Sequence, residues 1–532
     1  MNRAYITQQN IVFALAFALT ILIAFDFLPR VLAFAVFGLY GGYMLVAPVT
    51  RGTELFVRAI PLFIALPLAE TFDNFNMWRA LIIILAVRLV LAQGRWRKIV
   101  KPLRNRTELF HWMRTNWMET FGIVYFIIAA LSLYVAPDTT AGIKRLIYLG
   151  NAALLFIVVR WLIAERRSYL ISLSKNFAFS AAVVVIFGFI QFLAAYFVPA
   201  WRFHHWWGSI VSRNLYGQEW ANIVLDFGNT WFSYSGDTLR LRMFSLFPDS
   251  HSFPMYVLMA LPALLVAGAV AMPRLRQFVE APRRMPVRTL LLHWRVGLAT
   301  AGLAVMLLAL ILTGTRGIWI SVVAALCALP LIAFWGRAHR LAGLLSLVAL
   351  LFVLMFPVYQ AVVTFPQFQE TDAASNAGFS RIRSLIDFSE TSNQGRVYIW
   401  RTTIESIERT PVWGVGIGNY PIVLSESISA SRMGASAHNL YLHIASTVGL
   451  VGFIAFLGIA GGVVRSAIVI MRRNGRSLYA LYAATALFSL AWIAGYSMTD
   501  AALFDERALL AFMLVLGTFA GLHQHDFKRT SV

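Results

Sequence analysis

The sequence predicts an all-α integral membrane protein of about fourteen transmembrane helices, with two large loops on one side of the membrane. Three observations lead there. Of 532 residues, 59% are hydrophobic and 13% charged, where soluble domains carry about 45–50% and about 25%; mean hydropathy is +0.70. Apolar stretches close to the roughly 20 residues that a hydrocarbon core demands recur along the whole chain. The net charge of +21 is concentrated in a few short connections between them.

Taken in order, the predicted spans fall near 10–28, 31–47, 55–69, 78–92, 118–136, 147–164, 177–198, 252–271, 297–313, 317–335, 342–360, 438–470, 478–498 and 503–521. The third and fourth are short. The twelfth is long enough to hold an extra turn or a break. No small-residue cleavage site follows the first apolar segment convincingly, so it reads as a retained span. Five regions result: N-terminal helices over 1–198 (about seven spans), a first loop over 199–251, central helices over 252–360, a large loop over 361–437 and C-terminal helices over 438–532.

Charge orients the chain. Residues 93–117 hold seven Lys/Arg against Glu108, and residues 272–296 hold six against Glu280. Smaller basic clusters occur at 165–167, 336–340 and 471–476. Fourteen spans put all five on one side with both termini, and enrichment in Lys and Arg marks that side as cytoplasmic. The excess cations are then a topology signal, and nucleic acid is not an expected partner. Arg88 and Arg160 lie close enough to cytoplasmic helix ends to snorkel. The single cysteine, Cys327, excludes an internal disulfide and reads as a small core residue.

The two long loops differ in chemistry. Together they hold ten Arg, eleven Asp/Glu and no Lys. The first is aromatic, and Trp201, Trp206, Trp207, His204 and His205 suit an interfacial anchor. In the second, Val397, Ile399, Trp400, Ile404 and Ile407 share one helical side, so a short amphipathic helix is expected over 396–411, ended by Pro411. The glycines of "GVGIGNY" (414–420) predict a turn where backbone must come close to something. As a nucleotide fingerprint the segment fails on spacing and on the lack of a preceding strand.

Four arginines stand outside the topology signal. Arg316 sits in a tight outer turn between two spans, where a charge is expensive. Arg240 and Arg242 precede the eighth span, and Arg396 opens the loop helix. Asp237, Asp249, Asp387 and Glu390 are near enough in sequence to pair with some of them. Alternatively, guanidinium groups hold phosphate through paired hydrogen bonds without losing charge, and several at one face would hold a diphosphate. Neither loop contains an Asp-x-Asp pair or an acidic cluster suited to Mg²⁺, so no metal is expected, and arginines take over the stabilisation of a departing diphosphate.

The stretch "SAHNLYLHIASTVGLVG" (436–452) opens polar and continues as a span. Ser436 is the expected N-cap, placing His438 in the first helical turn. The helix dipole there disfavours imidazolium, which leaves the neutral ring that a general base requires. Asn439, and Asn419 at the end of the glycine turn, are the candidates for positioning an acceptor. Asp500 and Asp505 either line the same cavity or cap helix ends.

Four segments carry a resemblance to the O-antigen ligase and O-antigen polymerase superfamily: "RMFSLFPDSHSF", "TGTRG", "GRVYIW…TPVWGVGIGNY" and "AHNLYLHIASTVGLVG", in order, over about residues 240–520. The chain departs from the family pattern at Ser245 and "DSH", where glycine and Pro-Asn are common. The resemblance implies a GT-C-like membrane glycosyltransferase of the bacterial inner membrane. Such an enzyme works at the periplasmic face on an undecaprenyl-diphosphate-linked oligosaccharide, inverting, with no metal or cofactor. It assigns donor diphosphate binding to Arg242 and Arg316, with Arg240 and Arg396 as further candidates, and the catalytic role to His438. The acceptor is the next lipid-linked repeat in a polymerase, or lipid A-core or protein in a ligase; length and the extra N-terminal spans favour the polymerase. A lipid-linked sugar flippase and a non-catalytic scaffold are the other classes consistent with the span count.

Overall fold

The computed structural model describes residues 2–69, 72–91, 106–227, 231–235, 238–280, 294–365, 367–368, 391–424 and 436–528. They are overwhelmingly helical. The N-terminal part contains α1 (Asn2–Ala24), α2 (Ala33–Val46), α3 (Val49–Ala59), a minimal hairpin β1–β2 (Ala65–Leu66 with Phe75–Asn76), α4 (Trp78–Leu91), α5 (Arg106–Thr115), α6 (Trp117–Leu131), α7 (Thr139–Glu165) and α8 (Tyr169–Ala194). Short helical turns over 200–216 lead to α9 (Gln218–Phe227) and the hairpin β3–β4 (Phe232–Ser235 with Thr238–Leu241). Then follow α10 (Ser252–Ala271), α11 (Pro273–Glu280), α12 (Trp294–Leu312), α13 (Arg316–Ile320), α14 (Val322–Pro330), α15 (His339–Val363), the loop helix α16 (Thr391–Arg409), α17 (Leu440–Asn474), α18 (Leu478–Tyr496) and α19 (Glu506–Lys528).

Eleven helical stretches among the described residues are long and apolar enough to cross a membrane, with α13 and α14 counted as one. The expected spans 31–47, 55–69 and 78–92 are not among them. Residues 55–69 form no continuous helix: α3 carries Arg51, Glu54 and Arg58, Pro61 follows, and the chain then extends into β1. Buried Glu54 is satisfied by Arg51 at 2.6 Å and Ser172 at 2.7 Å. At about 1.5 Å per residue, the 14 residues of α2 or of α4 reach about 21 Å, short of the roughly 30 Å core.

These short pieces nevertheless connect two chemically distinct ends of the bundle. At one end the basic segments meet each other. Arg465 donates to the carbonyl of Arg114 (2.9 Å), Arg473 to Asp526 (2.8 Å), Arg167 to the Asn474 amide oxygen (3.3 Å), and Arg472 to Trp335. Tyr169 donates to Thr50 at the start of α3, and Arg88 at the end of α4 donates to Met44 and Ala47. At the other end, Arg30 pairs with Asp73, Trp78 donates to Glu506 (2.8 Å), and Arg507 donates to the carbonyls of Pro61 and Phe63. Both chain ends pack at the basic end: Arg58 joins Asn10 to Asn176, and Asp526 joins α19 to α17.

Three smaller expectations fail. Cys327 is exposed, on the apolar outer surface of α14. Trp207 is no interfacial anchor: it is buried and stacked on Phe203, whereas Trp201 is exposed. Arg160 is fixed by Glu119 at 2.7 Å rather than extended to an interface.

The long α17 is broken where its length allowed. Gly449 adopts φ 75°, ψ 173°. In an unbroken helix the Leu450 N–H would bond the Ser446 carbonyl. Instead it donates to Pro411, and the Ser446 carbonyl accepts from Val415, both at 2.8 Å. The loop backbone at 411–415 thus stands in for one helical hydrogen bond. A Cβ on Gly449 would lie 1.9 Å from the Val412 carbonyl oxygen, so only glycine fits. The expected close approach of "GVGIGNY" is real: Gly414, Gly416 and Gly418 all have positive φ, against α17, the end of α6 and the start of α7 respectively.

Candidate functional site

The site lies at the end opposite the basic clusters, around the turn between α18 and α19. Four segments are tied to that turn. The first is 242–252. Its Arg242 extends the β3–β4 ladder through Trp231, and its guanidinium donates to the Thr313 carbonyl (2.9 Å) and the Thr315 hydroxyl (3.0 Å). Thr315 in turn donates to the Ser250 carbonyl at 3.0 Å. Ser245 adopts φ 56°, a left-handed conformation that favours glycine. Gln191 and the Val184 carbonyl hold it from α8. Asp249 caps α10, accepting from the backbone of His251 (2.8 Å) and Ser252 (2.7 Å). It is therefore a cap, not an arginine partner; Asp237, Asp387 and Glu390 lie outside the described residues.

The second segment is the Arg316 turn. A Cβ on Gly317 would meet the Thr499 hydroxyl at 2.1 Å and the Tyr496 ring at 3.0 Å. This contact fixes Arg316 beside 496–499, reinforced by Trp492 donating to the Ile318 carbonyl at 2.8 Å. The third is the start of α17, where the Leu440 N–H donates to Ser497 (2.8 Å) and the Tyr441 hydroxyl to Ala494 (2.7 Å). The fourth is α16, whose Trp400 donates to the Ala437 carbonyl at 3.0 Å.

At the hub, His251 Nδ1 lies 2.9 Å from the Asp500 carboxylate and 3.1 Å from the Tyr496 hydroxyl. Burial alone would raise the Asp500 pKa, but His251, His438 and Arg396 hold it well below the usual carboxylate range. Arg242 and Arg396 both act electrostatically on Tyr496. Arg242, Arg396 and His438, drawn from widely separated sequence, therefore gather around Tyr496 and Asp500, and the turn that carries Arg316 packs on Tyr496 and Thr499. His251 and Tyr496 were not legible as site residues. The signal for His251 was its place in "DSH", where the chain departs from the family pattern.

The start of α17 corrects one expectation. Asn439, not Ser436, is the N-cap: its side-chain oxygen accepts from Tyr441 (3.0 Å) and Leu442 (3.1 Å). Ser436 instead accepts from the His438 N–H. His438 stands before the helix with φ 45°, outside the first turn. Asn419 is buried, and its amide is used on Asp138 and Ile417, joining the glycine turn to α7. His443, one turn into α17, stacks on Tyr420 (4.5 Å) and lies against Phe504 (4.8 Å), anchoring the same turn. Arg240 does not join the hub: it lies near Tyr196 and Tyr359.

Residues 301–457 match the O-antigen ligase family. No curated protein matches the chain. The matched segment contains the Arg316 turn, the loop helix, the glycine turn, His438 and the broken α17; it supports a role in handling lipid-linked glycan in polysaccharide biosynthesis. Arg242, His251, Tyr496 and Asp500 lie outside it and join it through the contacts above.

On the loop side, a groove of about 520 Å³ runs between α16 and the end of α6. Thr402, Glu405, Arg409, Trp413, Val135 and Pro137 line it. From Trp400, which bonds Ala437, to Arg409 the α16 axis advances about 14 Å at 1.5 Å per residue, and the groove follows this stretch of the helix.

Proposed function

We propose that the chain is a periplasmic-face glycosyltransferase of the inner membrane, moving glycan from an undecaprenyl-diphosphate donor to the hydroxyl of an acceptor, and that it acts as a polymerase. The observation that carries this reading is the meeting of Arg242, Arg396, His251 and His438 at Asp500 and Tyr496, with the Arg316 turn packed beside them, opposite the basic end. Arg242 and Arg316 hold the diphosphate, and Arg396 on the loop helix closes over it. Their fixed positive charge stabilises the negative charge that grows on the leaving oxygen, so the reaction needs no metal. The acceptor hydroxyl attacks the anomeric carbon from the opposite face and inverts it. The bond from that carbon to the phosphate oxygen breaks, and the lipid diphosphate departs.

His438 takes the acceptor proton. The Asp500 carboxylate stabilises the imidazolium that results, and His251 holds Asp500 in place. The groove along α16 accommodates glycan beyond the reacting sugar, since an aromatic ring flanked by hydroxyl and charged groups suits a sugar chain. Ligase activity on lipid A-core is the second reading, favoured by the family that residues 301–457 match.

The test uses purified full-length protein with undecaprenyl-diphosphate oligosaccharide in EDTA, with products resolved by size and lipid content. A ladder of longer lipid-linked chains is expected. Transfer only when lipid A-core is added would replace the polymerase with the ligase. No transfer to either acceptor, together with Arg316→Ala and His438→Ala variants that complement a deletion strain, would defeat the enzyme reading.

A further inference from the structure

Arg240 and Arg242 are two residues apart on one strand, yet their surroundings differ. Arg242 donates to Thr313 and Thr315. Arg240 is 6% exposed, and its Nε and Nη2 have no hydrogen-bond partner. The groups acting on its charge are the hydroxyls of Tyr359 and Tyr196, neither of them anionic at neutral pH. Gln367, in the chain after α15, accepts from the Leu241 N–H at 2.9 Å and lies near the same Tyr196, and its Nε2 has no hydrogen-bond partner. Trp319, 4% exposed, lies with its ring 5.4 Å from Tyr359, and its indole N–H is also without a partner. The Gln360 amide oxygen, next in sequence to Tyr359, is likewise unpaired.

A buried guanidinium without an acceptor is costly, and an apolar side chain of similar size would be cheaper. Unpaired donors from three elements, β4, α13 and the chain after α15, converging on two tyrosines describe a site that awaits an anion. Its position indicates how that anion arrives. Tyr196 follows the end of α8, and Tyr359 lies one turn before the end of α15. Beside them Phe197 (78% exposed) and Phe365 (65%) face outward from the bundle. The neighbourhood is apolar and outward-facing, so the anion is carried on a lipid.

We propose that Arg240 and Trp319 form a second anion site, distinct from the hub at Tyr496, that binds the phosphate of a lipid head group at the outer membrane boundary. Two lipids share this chemistry: a polyprenyl phosphate or diphosphate, and an anionic glycerophospholipid. The polyprenyl case rests on the transferase reading above; anion binding itself does not.

The test is thermal unfolding of the purified full-length protein in neutral detergent. Undecaprenyl phosphate, a short-chain phosphatidylglycerol and inorganic phosphate are added separately. Wild type is expected to be stabilised by at least one of the lipids and not by inorganic phosphate at equal concentration. Arg240→Met should melt above wild type without ligand, because an unpaired buried charge is gone, and should lose the lipid-induced shift. Arg240→Lys keeps the charge without the planar fork, so it should fold and show a weaker shift; it serves if the methionine variant does not fold. Trp319→Phe should weaken the shift, and Arg472→Ala, at the basic end, should retain it. A shift with undecaprenyl phosphate alone identifies the polyprenyl lipid, and one with phosphatidylglycerol alone the bulk phospholipid.

The proposal is overturned if neither lipid shifts wild type, if inorganic phosphate acts as well as the lipids, if Arg240→Met keeps the shift, or if Arg472→Ala removes it as fully as Arg240→Met. Because no arm measures transfer, a failed glycosyltransferase reading leaves these outcomes readable.

Discussion

The two ends of the bundle use the same residue for opposite purposes. At the basic end, Arg465, Arg472 and Arg473 donate to backbone carbonyls at Arg114, Trp335 and Asp526. Each tethers one helix end to another, and helix C-terminal carbonyls suit cations there. At the opposite end, Arg242 and Arg396 are brought from separate segments to Tyr496, Arg396 also acts on Asp500, and the turn that carries Arg316 packs on the same tyrosine. An arginine's task is therefore set by what it converges with, not by its charge or its cost of burial. Substitutions at the two ends should separate activity from stability.

The largest effect belongs to the hub. His438→Ala is expected to lower transfer by about 10²–10⁴-fold, the range of a general base, with little change in donor binding. Arg316→Ala should lower transfer by a similar order, roughly 10²–10³-fold for one lost oxyanion partner, and should weaken donor binding as well. Steady-state transfer with lipid-linked donor, analysed for kcat and KM separately, checks the contrast. If both variants affect only KM, His438 is a binding group and the proton goes elsewhere.

Next comes Arg242→Lys. Lysine keeps the charge but cannot span the Thr313 carbonyl and the Thr315 hydroxyl with one planar group. Activity should fall about 10-fold or more while the melting temperature changes little. Activity equal to wild type would show that charge alone suffices.

Gly449→Ala probes the joint that delivers the loop to the hub. Its Cβ would lie 1.9 Å from the Val412 carbonyl oxygen, so the loop must move or α17 must straighten. A loss of about 1–3 kcal/mol, the usual range for steric strain in a packed site, is expected in unfolding measurements. Activity should drop with it, because Trp400 and Arg396 follow the loop. A stable, active variant would mean that loop and helix are not coupled there.

Much of this arrangement is legible in the sequence. Span order, the grouping of basic loops, the loop helix, the glycine turn and the break in α17 all follow from composition, period and glycine chemistry. The limits are equally physical. Residues 55–69 are apolar enough to suggest a span, but hydropathy averages over Arg58 and Pro61 and starts just past Arg51 and Glu54, and these four residues decide the backbone. Ser436 and Asn439 are both good caps, and only the docking of Leu440 onto Ser497 selects Asn439. His251 pairs with Asp500 across 249 residues, a contact that no local pattern encodes. Arg240 and Arg242 look alike in sequence because they differ only in what surrounds them.

The smallest effect expected at the hub end is a pH dependence. Asp505 lies in the turn between α18 and α19, where its carboxylate oxygen accepts from the backbone of Arg507 (3.0 Å) and Ala508 (3.1 Å). Burial pushes its pKa up to about 7, partly offset by Arg507 and reinforced by Asp249. An unfolded aspartate titrates near 3.9. The folded state therefore binds more protons between about pH 4 and 7, and stability must fall as pH rises through that window. Asp505→Asn keeps an oxygen for the cap and removes the titration, so its melting temperature should vary less over that window and exceed wild type near pH 8. At the basic end, Arg472→Ala should cost no more than about 1 kcal/mol, as exposed single contacts do, with transfer unchanged. If the Asp505 variant instead follows the wild-type pH profile, the carboxyl is ionised throughout, and the protonated turn between α18 and α19 is not part of the folded state at neutral pH.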